Sequence, residues 1–517
     1  MLSHSPTLVM LILLLSYLVP LLLLYSALVN YGCLKHIPGP FLAKFTDLYR
    51  LYQVYTRKPH ETQVSLHKRY GDLVRLGPHC ISVSGPDYAS QIYGIGRGLI
   101  KSNFYAVFQN IVNGRRAASL VAMTNESDHA KSKRQIAHAY SLSTLVEFEP
   151  LVDSTTEILL AHLDSHFAQR GESCDLGRWL QYYAFDVIGE LTFSKRLGFI
   201  DTGEDVGSII HSIGKNFEYF SVIGQMPWLD DCLGKNPLYI KYFAKPVSSP
   251  ILKFAQQLLS ERLDAKDEEK KADRPDFLSR FLQVRQESPE PMSDRQVLSL
   301  LFMNINAGSD TIASTVRATF YHLLKTPSTL GTLMTELESA SSKGRLTLPC
   351  PTWTETQSSE LPYLRAVIKE SLRMNPALSL PLERIVPAGG LSVQHPDDAK
   401  SSTFIPADTI IGINPYVLHR DLRIFGEDAE SWNPSRWLES SGNSAEKIKN
   451  MDHSLLSFGA GKRSCLGKNI AMLELHKLVP AVLMRFKVEL EQPEKEWDVR
   501  NAWVLNQTGL VVRLTTR

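Results

Sequence analysis

Cysteine is scarce in this 517-residue chain and widely scattered. Cys33, Cys80, Cys174, Cys232, Cys350 and Cys465 form no CxxC pair and no dense disulfide spacing. That scarcity argues against a zinc module and suits a reducing compartment. Charge of one sign is lacking too: 56 Lys and Arg against 54 Asp and Glu leave a formal net charge of +2. Without a basic excess, nucleic acid is not an expected partner. No glycine-rich dinucleotide motif follows a strand, and there is no internal repeat or extended low-complexity tract.

Another absence is charge near the start, where no Lys, Arg, Asp or Glu precedes Lys35. The apolar run from Thr7 to Val29 would, as a helix, cross a hydrocarbon core of roughly 30 Å. A secretory signal needs a cationic start and a small-x-small cleavage site, but no cation precedes the run and Tyr25 interrupts the pattern ending at Ala27. The expectation is a retained transmembrane anchor over 7–29. Lys35, Lys44, Arg50, Arg57 and Lys58 follow it, which predicts a lumenal N-terminus and a cytosolic remainder. The sequons at Asn125 and Asn506 should then stay unglycosylated.

What is present is a globular composition, 44% apolar. A proline-rich hinge, 30–45, contains "HIPGPF" with Pro38 and Pro40, and leads into one large domain, 46–517. Apolar residues at helical spacing dominate 86–165, 179–197, 248–283, 294–339, 357–375 and 466–487, while "RLGPHCISVSGPDYA" reads as short strands. The fold class is mainly α with a minor β region. Stretches 266–275 and 341–357 read as solvated connectors.

One cysteine has an unusual setting, "FGAGKRSCLG" at 458–467. Its glycines permit tight turns and close backbone approach, and the apolar stretch from Leu466 predicts a helix beginning directly after Cys465. A sulfur at a helix N-terminus is favoured as thiolate, fit to be a nucleophile or a metal ligand. Both readings stand on physics alone. The neighbours Lys462, Arg463 and Ser464 supply no base, and the two cations suit an anionic ligand lying over the loop.

That decapeptide resembles the haem-binding loop FGxGxRxCxG of the cytochrome P-450 family, with every fixed position filled. The resemblance implies a haem b cofactor with Cys465 as axial iron ligand, Phe458 packed near it, Gly459 and Gly467 shaping the loop, and Arg463 on a propionate. "ESLR" supplies Glu370 and Arg373 three residues apart, and "NPSRW" supplies Arg436; together they resemble the family's structural Glu-Arg-Arg triad. "NINAGSDT" matches the oxygen-activation segment AGxDT. There the resemblance implies a helix that opens near Gly308, with Thr311 and Asp310 serving dioxygen activation and proton delivery. "DHAKSKR" resembles the propionate-binding helix, with His129 and Lys133 where Trp and Arg are commoner. "LPLERIVP" places Arg384 on a propionate. Substrate-lining stretches are expected near Phe104–Val107, Phe220–Met226, Met303–Ala307, Leu378–Leu382 and Leu505–Thr508.

The resemblance covers the chain from Ile37 onward, and "AFDVIGELTFSKRLGF" and "GKNIAMLELHKLVP" further resemble filamentous-fungal enzymes of secondary metabolism, including the pisatin demethylase-like group. It implies a cytochrome P-450 fold and a monooxygenase that inserts one atom of O2 into a hydrophobic small molecule. The chain would be held as a single-pass protein in the endoplasmic reticulum membrane. About fifty residues follow Cys465, too few for a flavin domain, so electrons from NADPH would come through a separate NADPH-cytochrome P-450 reductase. Lys131, Arg134, Lys462, Lys468 and Lys477 are candidates for its cationic docking face. Two rivals are a haem-thiolate isomerase or dehydratase, which needs no reductase, and a catalytically silent membrane haem-binding protein.

Overall fold

The structure is a computed structural model describing Leu18, Leu21, Tyr25, residues 28–32 and residues 34–517 apart from 113–114, 243–249, 265–275, 288–291 and 396–397. Most of the expected anchor and the connector 266–275 therefore lie outside the described residues. Leu18, Leu21, Tyr25 and 28–32 are helical, and among the described residues no helix is long and apolar enough to cross a membrane.

The elements that position the site are helices α1 (Leu48–Tyr55), α2 (Glu126–Ile136), α3 (Glu149–Leu163), α4 (Leu176–Phe193), α5 (Ile209–Ile223), α6 (Asp294–Lys325), α7 (Pro362–Met374) and α8 (Lys468–Arg485). With them go strands β1 (Leu73–Gly77), β2 (Cys80–Val83), β3 (Ile100–Lys101), β4 (Arg384–Ile385), β5 (Ile410–Ile413), β6 (Asp498–Ala502) and β7 (Val504–Thr508). Helices dominate, as expected, but the stretch 86–165 is broken by β3 and by a hairpin of Asn110–Val112 with Arg115–Ala117.

Helix α6 is the axle. It begins with a capping box between Ser293 and Gln296, which satisfies amide groups that a helix start leaves free. It buries Val297, Leu301, Ile305, Ile312, Val316, Phe320 and Leu323, spaced by three or four residues except for the two-turn step from Ile305 to Ile312, so that they share one apolar face. Helix α4 packs along it and is buried nearly all round, as its sequence "LGRWLQYYAFDVIGELTF" demands. Both belong to the main core, which also takes in the inner faces of α3, α7 and α8.

The sheet runs β1-β2-β5-β4-β3, with β5 parallel to β2 and the other pairs antiparallel. A second apolar cluster fills the space beneath it, including Ile81, Val83, Tyr93, Ile411 and Ile413. The expected hinge does not stand free. Leu34 and Ile37 are buried, Arg75 N–H donates to the Pro38 carbonyl at 2.7 Å, and a Cβ on Gly39 would fall 2.4 Å from the Arg75 oxygen.

Candidate active site

Cys465 sits between the short turn Gly461–Arg463 and α8, whose N-cap is Gly467. The helix expected directly after it starts at Lys468. Its N–H donates to the Phe458 carbonyl at 2.8 Å, and Gly459 N–H donates to the Leu456 carbonyl at 2.8 Å, so the loop folds back on itself. Gly461 has φ of +63°, and a Cβ there would lie 2.0 Å from the Tyr93 oxygen, so only glycine fits. Desolvation by the surrounding protein raises the pKa of the Cys465 thiol, while the N–H groups of Gly467 and Lys468 and the ammonium groups of Lys133 and Lys468 pull it back. A metal cation completes the shift to thiolate. Among the described residues no cluster of three or more His, Cys, Asp or Glu could hold a metal.

Beside the loop, cations converge. Arg463 donates to Glu126 Oε1 at 3.0 and 2.7 Å, but its Nη1 is buried with no partner. Arg384 is buried, donates to the Glu383 carbonyl at 2.9 Å and lies 4.9 Å from the Tyr93 ring centre. His129 is buried, and its imidazole is pushed down to about 3, first by burial and then by Arg463, Lys101, Lys133 and Arg384. Lys101 was missed by the sequence reading. Its Nζ donates to the Val121 carbonyl at 2.6 Å and lies 4.1 Å from the Tyr105 ring centre. Burial, then Arg463 and Arg384, drive its pKa well down. Arg463 and Arg384 disfavour the charged form of Lys101, and Glu126 offsets only part of that. A ligand carrying two carboxylates would relieve the repulsion and satisfy Arg463 Nη1, so the residues present fit a haem with its two propionates.

The Lys133 ammonium donates to the Lys462 and Ser464 carbonyls at 3.0 and 3.2 Å, tying α2 to the cysteine loop.

The triad assembles. Glu370 accepts from Arg373 at 2.7 and 2.8 Å, from Arg436 Nε at 3.0 Å, from Asn433 N–H at 2.9 Å and from Trp437 Nε1 at 2.9 Å. All three triad side chains are buried. Arg373 also donates to the His419, Ala429 and Ser431 carbonyls, and Arg436 pairs with Asp428. Trp437, Asn433 and Asp428 were not anticipated.

On the other side of the site, α6 carries the "AGSDT" residues. The helix is assigned as one element through Gly308. Gly308 permits close packing, since a Cβ there would lie 2.9 Å from Ile188. Thr311 Oγ1 donates to the Ala307 carbonyl at 2.7 Å. Asp310 Oδ1 accepts from Gln181 Nε2 at 2.7 Å, and Gln181 Oε1 accepts from Arg317 at 2.5 Å. Burial pushes the Asp310 carboxyl up, against the pull of Gln181 and Arg317. Gln181 and Arg317 were not foreseen. Over the expected lining stretches, Phe104 packs with Phe108 and Trp503, and Phe108 packs with Phe220 and Trp503, the residue between β6 and β7, whose φ is +78°.

Of the expected docking cations, Lys131, Arg134, Lys462 and Lys468 are exposed. Lys477 is not. It is fully buried, bonded to Glu149, to Asp153 at 2.8 Å and to the Pro351 carbonyl at 2.6 Å, and so belongs to the interior.

Comparison with known proteins agrees with this geometry. The cytochrome P450 family model matches residues 38–513. The chain is 41% identical over 485 residues to the cytochrome P450 monooxygenase cicH of Emericella nidulans, covering 94% of each chain. It is 40% identical to the cytochrome P450 monooxygenase AFLA_114810 of Aspergillus flavus, covering 96% of each. A third relative, the cytochrome P450 monooxygenase mpaDE' of Penicillium brevicompactum, is 40% identical across 93% of this chain, which spans 55% of that longer protein. The chain belongs to the cytochrome P450 family, whose members use haem b with a cysteine thiolate as axial ligand.

Proposed function

We propose that this protein is an NADPH-dependent haem-thiolate monooxygenase of fungal secondary metabolism, inserting one atom of O2 into a hydrophobic small molecule with electrons delivered by a separate reductase. The observation that carries the reading is the convergence of Arg384, Lys101 and His129 on Arg463, which lies two residues before Cys465 in the same loop. In this assignment Cys465 would supply the thiolate that binds haem iron, Arg384 and Arg463 would hold the propionates with Lys101 and His129 near them, and Gly459, Gly467 and Phe458 would shape the loop around the sulfur. When bound, haem supplies the activation of O2, and the thiolate favours O–O cleavage.

The protein's own contribution is to hold the cofactor, exclude water and manage protons. Thr311 donates to Ala307, so its hydroxyl oxygen retains lone pairs to organise a proton donor, and Asp310, held by Gln181, is the reserve acid behind it. Glu370, Arg373 and Arg436 brace the framework beneath the loop. The aromatic wall of Phe104, Phe108, Phe220 and Trp503 suits an apolar substrate. Residues 7–29 act as a single-pass anchor in the endoplasmic reticulum membrane, 30–45 as the hinge, and 46–517 as the cytosolic catalytic domain.

The presence of both Thr311 and Asp310 favours monooxygenation over the isomerase and silent-protein readings. The deciding experiment compares metabolites of a deletion strain with the wild type, then supplies the accumulated compound to purified protein, reductase and NADPH. Oxygenated product appearing only with NADPH supports the reading; full conversion without NADPH or reductase overturns it.

A further inference from the structure

Helix α7 ends at Met374, so the last carbonyls of that helix have no partner within it. Each is taken up elsewhere. Ser371 O accepts from Asn375 N–H at 3.0 Å, Leu372 O from Ser457 Oγ at 2.7 Å, Arg373 O lies 2.9 Å from His419 Nδ1, and Met374 O accepts from Arg420 at 2.9 Å. Two of these partners lead to the cysteine loop. Ser457 belongs to its approach, and His419 Nε2 lies 2.9 Å from the N–H of Leu456.

The partners decide the state of His419. A carbonyl can only accept, so Nδ1 carries the proton toward Arg373 O; an amide N–H can only donate, so Nε2 must be the bare acceptor for Leu456. An imidazolium could not make the second bond. His419 is fully buried, and its own carbonyl accepts from Arg373 at 2.7 Å, so triad arginine and histidine grip each other in both directions. From Leu456 the chain continues through Leu456 O to Gly459 N–H and Phe458 O to Cys465 N–H, both at 2.8 Å.

We infer that His419 and Ser457 are positioning residues, a pair of tethers by which the triad-bearing helix α7 sets the register of the cysteine loop and keeps the Cys465 sulfur on iron. The inference rests on Cys465 being the axial ligand. His419 reaches the sulfur only through backbone bonds, and Ser457 only through the chain it anchors. The triad is thereby coupled to the ligand, which neither Glu370 nor Arg436 contacts directly.

The test uses the full-length haem-loaded protein, reduced and carrying carbon monoxide, as wild type, His419→Leu, His419→Gln and Ser457→Ala. The readouts are the rate at which the red-shifted thiolate band is lost in mild denaturant, haem transfer to excess apomyoglobin, and far-UV melting. Leaving a buried carbonyl and amide unpaired should speed loss of the band in His419→Leu by about fivefold or more. A glutamine can donate through its amide nitrogen and accept through its oxygen, so His419→Gln should recover most of the wild-type lifetime. Ser457→Ala should speed the loss a fewfold while its melting curve stays near wild type. Wild-type lifetimes in both His419→Leu and Ser457→Ala overturn the tether. If His419→Leu takes up no haem, an unchanged Ser457→Ala overturns it alone, as does band loss that only follows global melting. A wild-type protein with no thiolate band would sink the axial-ligand reading instead, a separate failure.

Discussion

Glu370 and Arg436 stand 66 positions apart in the chain and are joined by a buried 3.0 Å bond, on the same carboxylate that grips Arg373. Burial alone would push the Glu370 carboxyl up. The bonds and charges of Arg373, the charge of Arg436 and the Asn433 N–H override it, leaving its pKa below the ordinary 4.5.

That sign fixes a pH dependence. A carboxylate whose folded pKa is depressed contributes stability that is present above its unfolded value and lost as pH falls through the folded one. Thermal melting of the wild type should therefore weaken as pH drops below the ordinary carboxylate range. Glu370→Gln should flatten that acid limb and cost about 3–5 kcal/mol at neutral pH, because two buried arginines lose their counter-charge. An unchanged acid slope in the variant would show that Glu370 does not set it.

Cys465→Ala removes the single soft donor in 458–467, since no neighbour in that loop has a side chain suited to replace it. The carbon-monoxide difference spectrum of the reduced variant should lack the strongly red-shifted thiolate band. Its persistence would refute the ligand assignment.

Charge reversal of Lys462 and Lys468 should raise the KM for reductase several-fold and make turnover more salt-sensitive, as expected for exposed docking cations. Lys477→Met should behave differently. It removes a buried charge from Glu149 and Asp153, so it should lower the melting temperature while leaving the KM for reductase of the folded fraction unchanged. A raised KM for Lys477→Met would restore it to the docking face.

The sequence revealed those parts of the site whose chemistry is local. The cysteine loop, the three-residue spacing of Glu370 and Arg373, and the polar interruption in α6 are all readable because neighbours along the chain define them. The partners that complete them come from afar: Trp437 reaches Glu370 across 67 positions, Gln181 reaches Asp310 across 129, and Lys133 reaches Lys462 across 329. No local pattern marks Lys477 as buried, because its acids lie on α3, more than 300 positions earlier. The packing of Gly308 is hidden for a related reason: the side chain it lies against, Ile188, is on α4, 120 positions earlier.

Thr311 offers the sharpest test of the distal side. Its hydroxyl proton is engaged by the Ala307 carbonyl at 2.7 Å, which orients the oxygen as an acceptor, while Asp310 beside it is held by Gln181. Thr311→Ala removes that acceptor and leaves the cysteine loop, the triad and the docking cations untouched. Electrons should still arrive, so NADPH consumption persists. Positioned acid–base groups typically contribute about a hundred- to ten-thousandfold, so losing part of a relay should sharply lower product formed per NADPH and raise hydrogen peroxide in its place. Thr311→Ser keeps a hydroxyl that can make the same i−4 bond and should restore most of the coupling. NADPH, product and peroxide are measured together, using the substrate found by the metabolite comparison. If Thr311→Ala keeps the wild-type yield per NADPH, its hydroxyl serves only the helix backbone, and proton delivery must be sought from Asp310 and Gln181 instead.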